Sequence, residues 1–235
     1  MHKVLMLAVV AGIAGSASAQ VLVYDQNSNN HYAQAGAATA GLGAVTVASA
    51  ANFNTLLTSG TWQVVAVDCP STFPSDNWAG LATYISGGDT RVVMSFWDWD
   101  GASFSGIRTA FGATSVQTFS TVGRTLSDAG TGFGAQIFDG VAGMPHSTWS
   151  DSWGDDGDAF AMAAGGEAGA IMSGFTNPAI FRGNGGRTIA SFVIDEWSGA
   201  GAPKLWENMI KSVVPAPSTG LAFVLAGFAA GRRRR

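Results

Sequence analysis

Short apolar segments that alternate with amphipathic ones between residues 21 and 111 restrict the fold more than any other feature. Four of these segments are mostly apolar and typical of strands buried on both faces, at 21–24, 44–48, 62–67 and 91–96. Helical spacing and helix-ending glycines predict helices between and after them, at 29–41, 49–60, 75–86 and 104–111. This alternation predicts an α/β fold with three layers, a mostly parallel sheet flanked by helices on both faces.

The second half of the chain is less regular. Its pattern predicts strands at 114–119 and 135–139, and an apolar segment at 165–175. Asn184-Gly185-Gly186 is typical of a hairpin turn and would join strands at 179–182 and 187–193. A last amphipathic helix is expected from Pro203 to Val213. Residues 20–213 are therefore expected to form a single domain.

The first 19 residues have the order of a secretory signal peptide. Lys3 is followed by an apolar run and then by the small residues Ala17-Ser18-Ala19. Cleavage is expected between Ala19 and Gln20. The Sec export machinery and signal peptidase are the partners that such a segment implies, so we expect an exported protein.

The last 22 residues, 214–235, form a second patterned terminus. Pro215-Ala216-Pro217 precedes an apolar segment at 219–231, and four arginines, Arg232, Arg233, Arg234 and Arg235, follow it. A helix of that length reaches about 20 Å, less than the roughly 30 Å of a bilayer core. It could serve as a transmembrane helix only with help from neighbouring residues or a thinned bilayer, and the arginines would stay on the cytoplasmic side.

These C-terminal residues resemble the PEP-CTERM sorting signal of exported bacterial proteins, with Ala216 in place of the usual acidic residue. The resemblance implies processing by an exosortase-like enzyme, transient contact with the inner membrane, and a final location in the cell envelope, at the cell surface or in the extracellular matrix. An ordinary short tail anchor is the alternative.

The charge distribution excludes one large class of function. The chain has 12 lysines and arginines against 16 aspartates and glutamates. Five of the basic residues lie in the two terminal segments, which leaves an acidic domain and argues against a nucleic-acid partner. A single cysteine excludes an intrachain disulfide framework and a cysteine-rich zinc module.

Several sequence segments of the domain resemble those of proteins with the class I glutamine amidotransferase-like fold, which is flavodoxin-like. They include the opening strand at 21–25, the strand at 62–68, and the helix, Gly87-Gly88 turn and strand that lead to residue 96. The closing strand and helix, at 186–190 and 205–209, resemble those of non-catalytic relatives. An active member would carry a cysteine at the tip of the elbow after the strand that ends near Phe96, where this chain has Trp97-Asp98. We therefore expect no amidotransferase activity.

Carboxylates follow several of the predicted parallel strands. Because ligands bind beyond the carboxyl ends of such strands, these residues and two neighbouring tryptophans are the candidate ligand site: Asp25, Asp68, Trp97, Asp98, Trp99 and Asp100. Such a set could hold a sugar face or a hard cation. The alternative is that the aspartates cap loops and the tryptophans belong to the core.

Two further features are weaker candidates. The acidic loop that contains Asp151, Asp155, Asp156 and Asp158 is a weak candidate for a calcium site. Its spacing is not that of an EF-hand, and a solvated loop is the simpler interpretation. His31 and His146 could act as an acid or base, but neither has a motif partner. Apart from a possible calcium ion, no cofactor is expected.

Two functions follow from these patterns. The first is a non-enzymatic, exported domain that binds a ligand or partner at the cell envelope. The second is an extracellular, carbohydrate-directed hydrolase that uses the strand-end carboxylates. A glycosidase needs two carboxyl groups in an open cleft on opposite sides of one bond, so their exposure distinguishes the two.

Overall fold

The computed structural model describes residues 20–25, 27–71, 78–88, 90–150 and 157–215. In the first half of the chain, strands and helices alternate as the apolar pattern predicts. In chain order they are β1 (Gln20–Tyr24), α1 (Tyr32–Thr39), β2 (Ala44–Val47), α2 (Phe53–Ser59), β3 (Val64–Cys69), α3 (Trp78–Ser86), β4 (Val92–Phe96) and α4 (Ser105–Phe111).

The second half contains more strands than helices. It comprises β5 (Ala113–Phe119), β6 (Leu126–Asp128), α5 (Gly132–Ile137), β7 (Gly157–Met162), β8 (Glu167–Met172), β9 (Pro178–Gly183), β10 (Thr188–Ser191) and α6 (Ala202–Ser212). Single 3-10 turns lie at Ala102–Phe104, Asn184–Gly186 and Ile194–Glu196.

Eight strands form one sheet in the order β2-β1-β3-β4-β10-β9-β8-β6. The first five of these are parallel, and the last three extend the sheet in antiparallel pairing. With β10 counted as the fifth parallel strand, the order is 2-1-3-4-5, which is the flavodoxin-like order. Strands β5 and β7 form a separate antiparallel pair.

The parallel strands are covered on both faces. In β1, Val21 and Val23 contribute to one apolar cluster, whereas Leu22 and Tyr24 contribute to another on the opposite face. Helices α1, α5 and α6 supply the first cluster, and α2, α3 and α4 supply the second. The predicted three-layer α/β fold is therefore confirmed.

One predicted element has the wrong type, and two strands have no counterpart in the prediction. Residues 135–139 were expected to be a strand, but helix α5 occupies Gly132–Ile137. The Thr131 side chain accepts a hydrogen bond from the Gly134 N–H (2.9 Å), which caps this helix. Strand β6 lacks the apolar run that identifies the others, whereas β7 contains a short one, 159–162, that the prediction did not assign to a strand. The predicted hairpin turn is confirmed, with left-handed backbone at Asn184, Gly185 and Gly186.

Both predicted terminal signals fall largely outside the described residues. This holds for residues 1–19, with the cleavage residue Ala19, and for 216–235, with Ala216, Pro217 and the four arginines. Gln20 begins β1, and Pro215 follows α6. Within the described part of the chain, no helix is long and apolar enough to cross a membrane.

Helices α1 and α6 touch at a glycine. A Cβ atom placed on Gly36 would lie 2.5 Å from the Trp206 Cβ and 2.7 Å from the Glu207 backbone nitrogen. Helix α6 buries Trp206 together with Leu205, Met209 and Ile210, so it cannot move outward without exposing these side chains. This position therefore has no room for a side chain.

We expect Gly36→Ala to destabilise the domain, because the added methyl group overpacks a helix contact that includes backbone atoms. Overpacking of this kind costs about 1–3 kcal/mol. In a domain of this size, each kcal/mol lowers the unfolding midpoint by about 2–4 °C, which circular dichroism measures.

Gly106→Ala is the matched control, because Gly106 also lies in a helix and nothing lies within 4 Å of its added Cβ. Because alanine loses less backbone entropy than glycine on folding, this variant should be stabilised by about 0.5–1 kcal/mol. Equal midpoints for the two variants would contradict the proposed contact.

Candidate functional site

The carboxyl ends of β1 and β3 mark the point where the sheet changes direction. From β1 the chain crosses to β2 on one side, and it then returns to β3 on the other side of β1. In flavodoxin-like sheets this switch point is where ligands bind. Asp25 follows β1 directly, and Asp68 is the penultimate residue of β3.

A third carboxylate, Asp195, joins these two at the same edge. It lies in the 3-10 turn after β10 and is fully buried. Its carboxylate accepts hydrogen bonds from the Ser28 hydroxyl (2.7 Å) and from the backbone nitrogens of Asn29 and Asn30 (3.0 Å each). Asp195 thus fixes the loop between β1 and α1 to the end of β10. The sequence prediction did not include it.

Asp25 connects the strand end to the start of α1. Its carboxylate accepts a hydrogen bond from the Gln34 backbone nitrogen (3.2 Å) and lies 3.5 Å from Nδ1 of His31. Burial raises the pKa of Asp25, an effect that His31 and the Gln34 N–H partly offset and that the charge of Asp195 reinforces. Buried Asp25 therefore orients the His31 ring through its contact with Nδ1.

Asp68 is the most strongly perturbed group of the edge. It is fully buried, and neither carboxylate oxygen makes a hydrogen bond of good geometry to another described residue. Burial raises its pKa well above the ordinary value, the charges of Asp195 and Asp25 raise it further, and the nearby hydroxyls of Ser95 and Ser28 only partly oppose this. The arrangement favours a protonated Asp68 between two carboxylates.

His31 is a polar side chain of this edge that faces solvent. Its side chain is 54% exposed, and its backbone is left-handed, with φ 51° and ψ 38°. Such a backbone is uncommon for a residue with a Cβ, and strain of this kind concentrates at functional sites. His31 borders a cleft of about 290 Å³, whose other lining residues are Asp25, Gln34, Val47, Ala48 and Ser49.

The loop after β4 is arranged differently from the prediction. Trp99 is fully buried, donates from its indole nitrogen to the Ser191 carbonyl (2.8 Å), and packs edge-on against Phe96, Phe111 and Phe160. It is a core residue rather than the wall of a pocket. Trp97 and Asp98 are half-buried and Asp100 is exposed, and none of these four residues lines the cleft beside His31. Of the predicted ligand-site residues, only Asp25 therefore lines this cleft.

Cys69 does not occupy the elbow position that an amidotransferase would use, although it pairs with Phe96 at the end of β4. It ends β3 rather than following β4, and it is fully buried. Its thiol donates to the Ser71 carbonyl (2.6 Å), and the Asn27 side chain donates to its sulfur (3.4 Å). These contacts describe a structural cysteine.

The calcium hypothesis concerns residues that are mostly not described. Asp151, Asp155 and Asp156 lie outside the described ranges. Asp158 is fully buried in β7, paired with Thr118 in β5, and is therefore not part of an open loop. Within 20–25, 27–71, 78–88, 90–150 and 157–215, no group of three His, Cys, Asp or Glu side chains is placed to hold a metal ion.

Comparisons with known proteins found structural similarity alone. No family profile matches the sequence, and no curated protein does. A proposed GMP synthase component of Thermoplasma acidophilum is similar in structure, with a TM-score of 0.49, 13% identity, and coverage of 89% of this chain and 98% of its own.

Two other solved structures are similar at lower scores. The carbohydrate deacetylase Agd3 has a TM-score of 0.47 and 14% identity, over 83% of this chain and 32% of its own. The protein SMU.1228c has a TM-score of 0.42 and 15% identity, over 75% and 76% of the two chains. The strand order, not these similarities, identifies the fold of this domain as flavodoxin-like.

The raised pKa of Asp68 makes a prediction about stability. Between the pKa of the unfolded chain and the higher pKa of the folded protein, the folded state binds more protons, so stability falls as pH rises through this window. Asp68→Asn removes the carboxyl group. We therefore expect the variant to unfold at a higher temperature than the wild type at pH 7, and by a smaller margin at pH 4.

Each unit of pKa shift is worth about 1.4 kcal/mol, which corresponds to a midpoint change of roughly 3–6 °C. Thermal unfolding followed by circular dichroism at the two pH values measures the difference. Asp100→Asn, at an exposed position of the same edge, should show the same midpoint as the wild type at both. The account is contradicted if the midpoint difference between Asp68→Asn and the wild type is smaller at pH 7 than at pH 4.

Proposed function

We propose that this protein is exported to the cell envelope, where its α/β domain binds a small polar ligand without transforming it. The observation that carries the proposal is the pair formed by exposed His31 and buried Asp25, beside a cleft at the switch point of the sheet. This is the place where flavodoxin-like sheets accept ligands.

The absence of a nucleophile from the elbow sequence supports binding rather than catalysis. The residues that follow β4 are Trp97, Asp98 and Trp99, so no thiol or hydroxyl stands where a glutamyl thioester or acyl intermediate would form. A carbohydrate hydrolase that uses Asp25 and Asp68 is also disfavoured, because these residues are 1% and 0% exposed and cannot flank one glycosidic bond in an open cleft.

The chemistry of the cleft favours a ligand that donates hydrogen bonds. Asp25 brings a carboxylate, and the nearby charge of Asp195, which raises the pKa of Asp25, also attracts positive charge. Val47 and Ala48 provide an apolar wall. The volume of about 290 Å³ is at the lower limit of ligand pockets and suits a molecule of monosaccharide size. An amino sugar combines an ammonium group, hydroxyl groups and an apolar ring face.

Thermal unfolding of the full chain in glucosamine, N-acetylglucosamine and glucose tests the ligand class. A ligand at ten times its Kd adds about 1.4 kcal/mol, or roughly 3–6 °C in the unfolding midpoint. We expect the largest increase with glucosamine, because its ammonium group meets the Asp25 carboxylate. Asp25→Asn and His31→Gln should lose the increase.

Asp100→Asn is the control, since it removes an exposed carboxylate of the same edge outside the cleft. It should keep the full increase. If none of the three sugars shifts the wild type, or if Asp100→Asn loses as much as Asp25→Asn, the proposed ligand site is wrong.

Export and sorting complete the proposal. The terminal sequences imply the Sec machinery, signal peptidase and an exosortase-like enzyme as partners, with Pro215, Ala216 and Pro217 in the processing motif and the arginines retained on the cytoplasmic side. The strand β1 begins at Gln20, so cleavage after Ala19 leaves the whole described domain intact.

When the protein is expressed in a bacterium with a Sec pathway, we expect its N-terminal peptide, identified by mass spectrometry, to begin at Gln20. Ala19→Asp should block cleavage, because the signal peptidase requires a small neutral residue there. Ser18→Thr, at the neighbouring position that tolerates other residues, should be cleaved normally. A mature protein that retains residues 1–19 would refute the signal peptide.

A further inference from the structure

A second cleft of the described domain lies at the opposite edge of the sheet, where the parallel strands begin. Its volume is about 690 Å³, within the range of small-molecule sites. It is formed by the residues before β4 and β10, by the turns after β7 and β9, and by the end of α6. Its charged lining residues are Arg91, Glu167, Arg182, Arg187 and Lys211.

Basic residues are concentrated in this cleft. Of the chain's 12 lysines and arginines, five lie in the terminal segments. Four of the remaining seven line this one cleft, together with a single acidic residue, Glu167. The lining thus carries a formal charge of +3 on a domain that is acidic as a whole. Such a concentration creates a positive potential that attracts anions.

Arg91 and Arg187 occupy matching positions on neighbouring strands. Arg91 precedes β4 and Arg187 precedes β10, and these strands pair in parallel with Val92 opposite Thr188. The Arg187 carbonyl accepts a hydrogen bond from the Val92 N–H (3.0 Å). Two guanidinium side chains therefore start side by side at one edge, where their mutual repulsion is relieved when an anion binds between them.

Arg187 has a donor group without an acceptor. Its Nε donates to the Asn184 carbonyl (3.2 Å), but its Nη1 is buried and has no hydrogen-bond partner among the described residues. Arg182, in contrast, is paired with Glu167 (2.6 Å) and stacks on Phe133. Arg187 lines both this cleft and a smaller one beside α3 and α4, and its guanidinium group has the fork geometry with which arginine binds phosphate.

The chain leaves the domain along this cleft. Val213, Val214 and Pro215 are part of its lining. The apolar segment begins at Thr219, four residues after Pro215, and four residues of extended chain span at most about 14 Å. A membrane reached by that segment would thus be close to the basic cleft.

We propose that this cleft binds a phosphate group, held between the guanidinium groups of Arg91 and Arg187. The phosphate belongs either to the headgroup of an anionic lipid or to a soluble phosphate compound. Only the lipid version rests on the proposed function, because it requires the C-terminal segment to reach the membrane. The phosphate site itself does not depend on export, on sorting or on the ligand at the other edge.

The soluble source is tested by thermal unfolding of the full chain in a neutral detergent, with sodium phosphate compared with sodium chloride at equal ionic strength. Phosphate at ten times its Kd should raise the midpoint of the wild type by roughly 3–6 °C. Arg187→Gln should abolish the increase, and Arg187→Lys, which keeps the charge but loses the fork, should retain part of it. Lys204→Gln removes one positive charge outside the cleft and should keep the full increase.

The lipid source is tested by sedimentation of the same proteins with phosphatidylcholine vesicles, with and without phosphatidylglycerol. Arg187→Gln should reduce binding to the anionic vesicles about fivefold, as expected for the loss of one basic residue at a charged surface. Lys204→Gln should bind like the wild type. The terminal arginines are present in every variant, so they do not account for a difference between the two substitutions.

A response to phosphate alone identifies a soluble ligand, and a response to anionic vesicles alone identifies a headgroup. The proposal is overturned if neither probe acts on the wild type, or if Arg187→Gln and Lys204→Gln behave alike in both assays. A mature protein that retains residues 1–19, or a failure of the sugar assay, would leave the soluble phosphate result unaffected.

Discussion

The burial of β1, β3 and β4 on both faces is the constraint on which the rest of the structure depends. Alternate residues of β1, such as Val21 and Leu22, point into different apolar clusters, so each cluster needs its own layer of helices. Helix α6 completes one of these layers although it is the last element of the described chain. Its contact at Gly36 is close because α1 and α6 must share the same face of the sheet. The three layers are thus a consequence of strands that have no polar face.

The same constraint explains the unusual electrostatics at the carboxyl edge. A carboxylate at the end of a strand buried on both faces has little access to water, and ionisation is therefore costly. Asp195 meets this cost with three hydrogen bonds from the loop that follows β1. Asp68 lacks comparable bonds, and its pKa is raised. The hydrogen bonds to Asp195 also fix the loop that carries His31, so the position of the exposed imidazole depends on a buried carboxyl group.

The parts of the fold that the sequence predicts are those where local pattern and tertiary environment agree. The first four strands are mostly apolar segments between glycine-ended helices, and the structure has them within a few residues of the predicted bounds. The strand predicted at 135–139 was wrong. Phe133 and Ile137 face the core from one side of a helix, and a short apolar run does not distinguish this spacing from that of a strand. Of the antiparallel extension, the hairpin of β9 and β10 was predicted, but the edge strand β6 was not, because its pairing with β8 joins residues more than 40 positions apart.

The candidate site was predictable only where the local sequence pattern also gives the direction of the strand. Asp25 and Asp68 lie at the ends of strands whose parallel direction is evident from the helices between them. Asp195 follows β10, whose preceding hairpin indicates only that β9 and β10 are antiparallel, not that β10 is parallel to β4. The role of Trp99 was also hidden, because its indole partner Ser191 and its neighbour Phe160 come from elements far along the chain.

The two edges of the sheet differ in charge, and this difference gives the domain a direction. Three buried carboxylates lie at the carboxyl edge, and four basic side chains line the cleft at the opposite edge, where the chain leaves the domain. With the C-terminal segment at a membrane, as proposed, the basic cleft faces the anionic surface. The His31 cleft, at the opposite edge, then faces away from it. An acidic edge turned towards the membrane would be repelled by the same surface charge, so this orientation is the one that keeps the ligand site open to solvent.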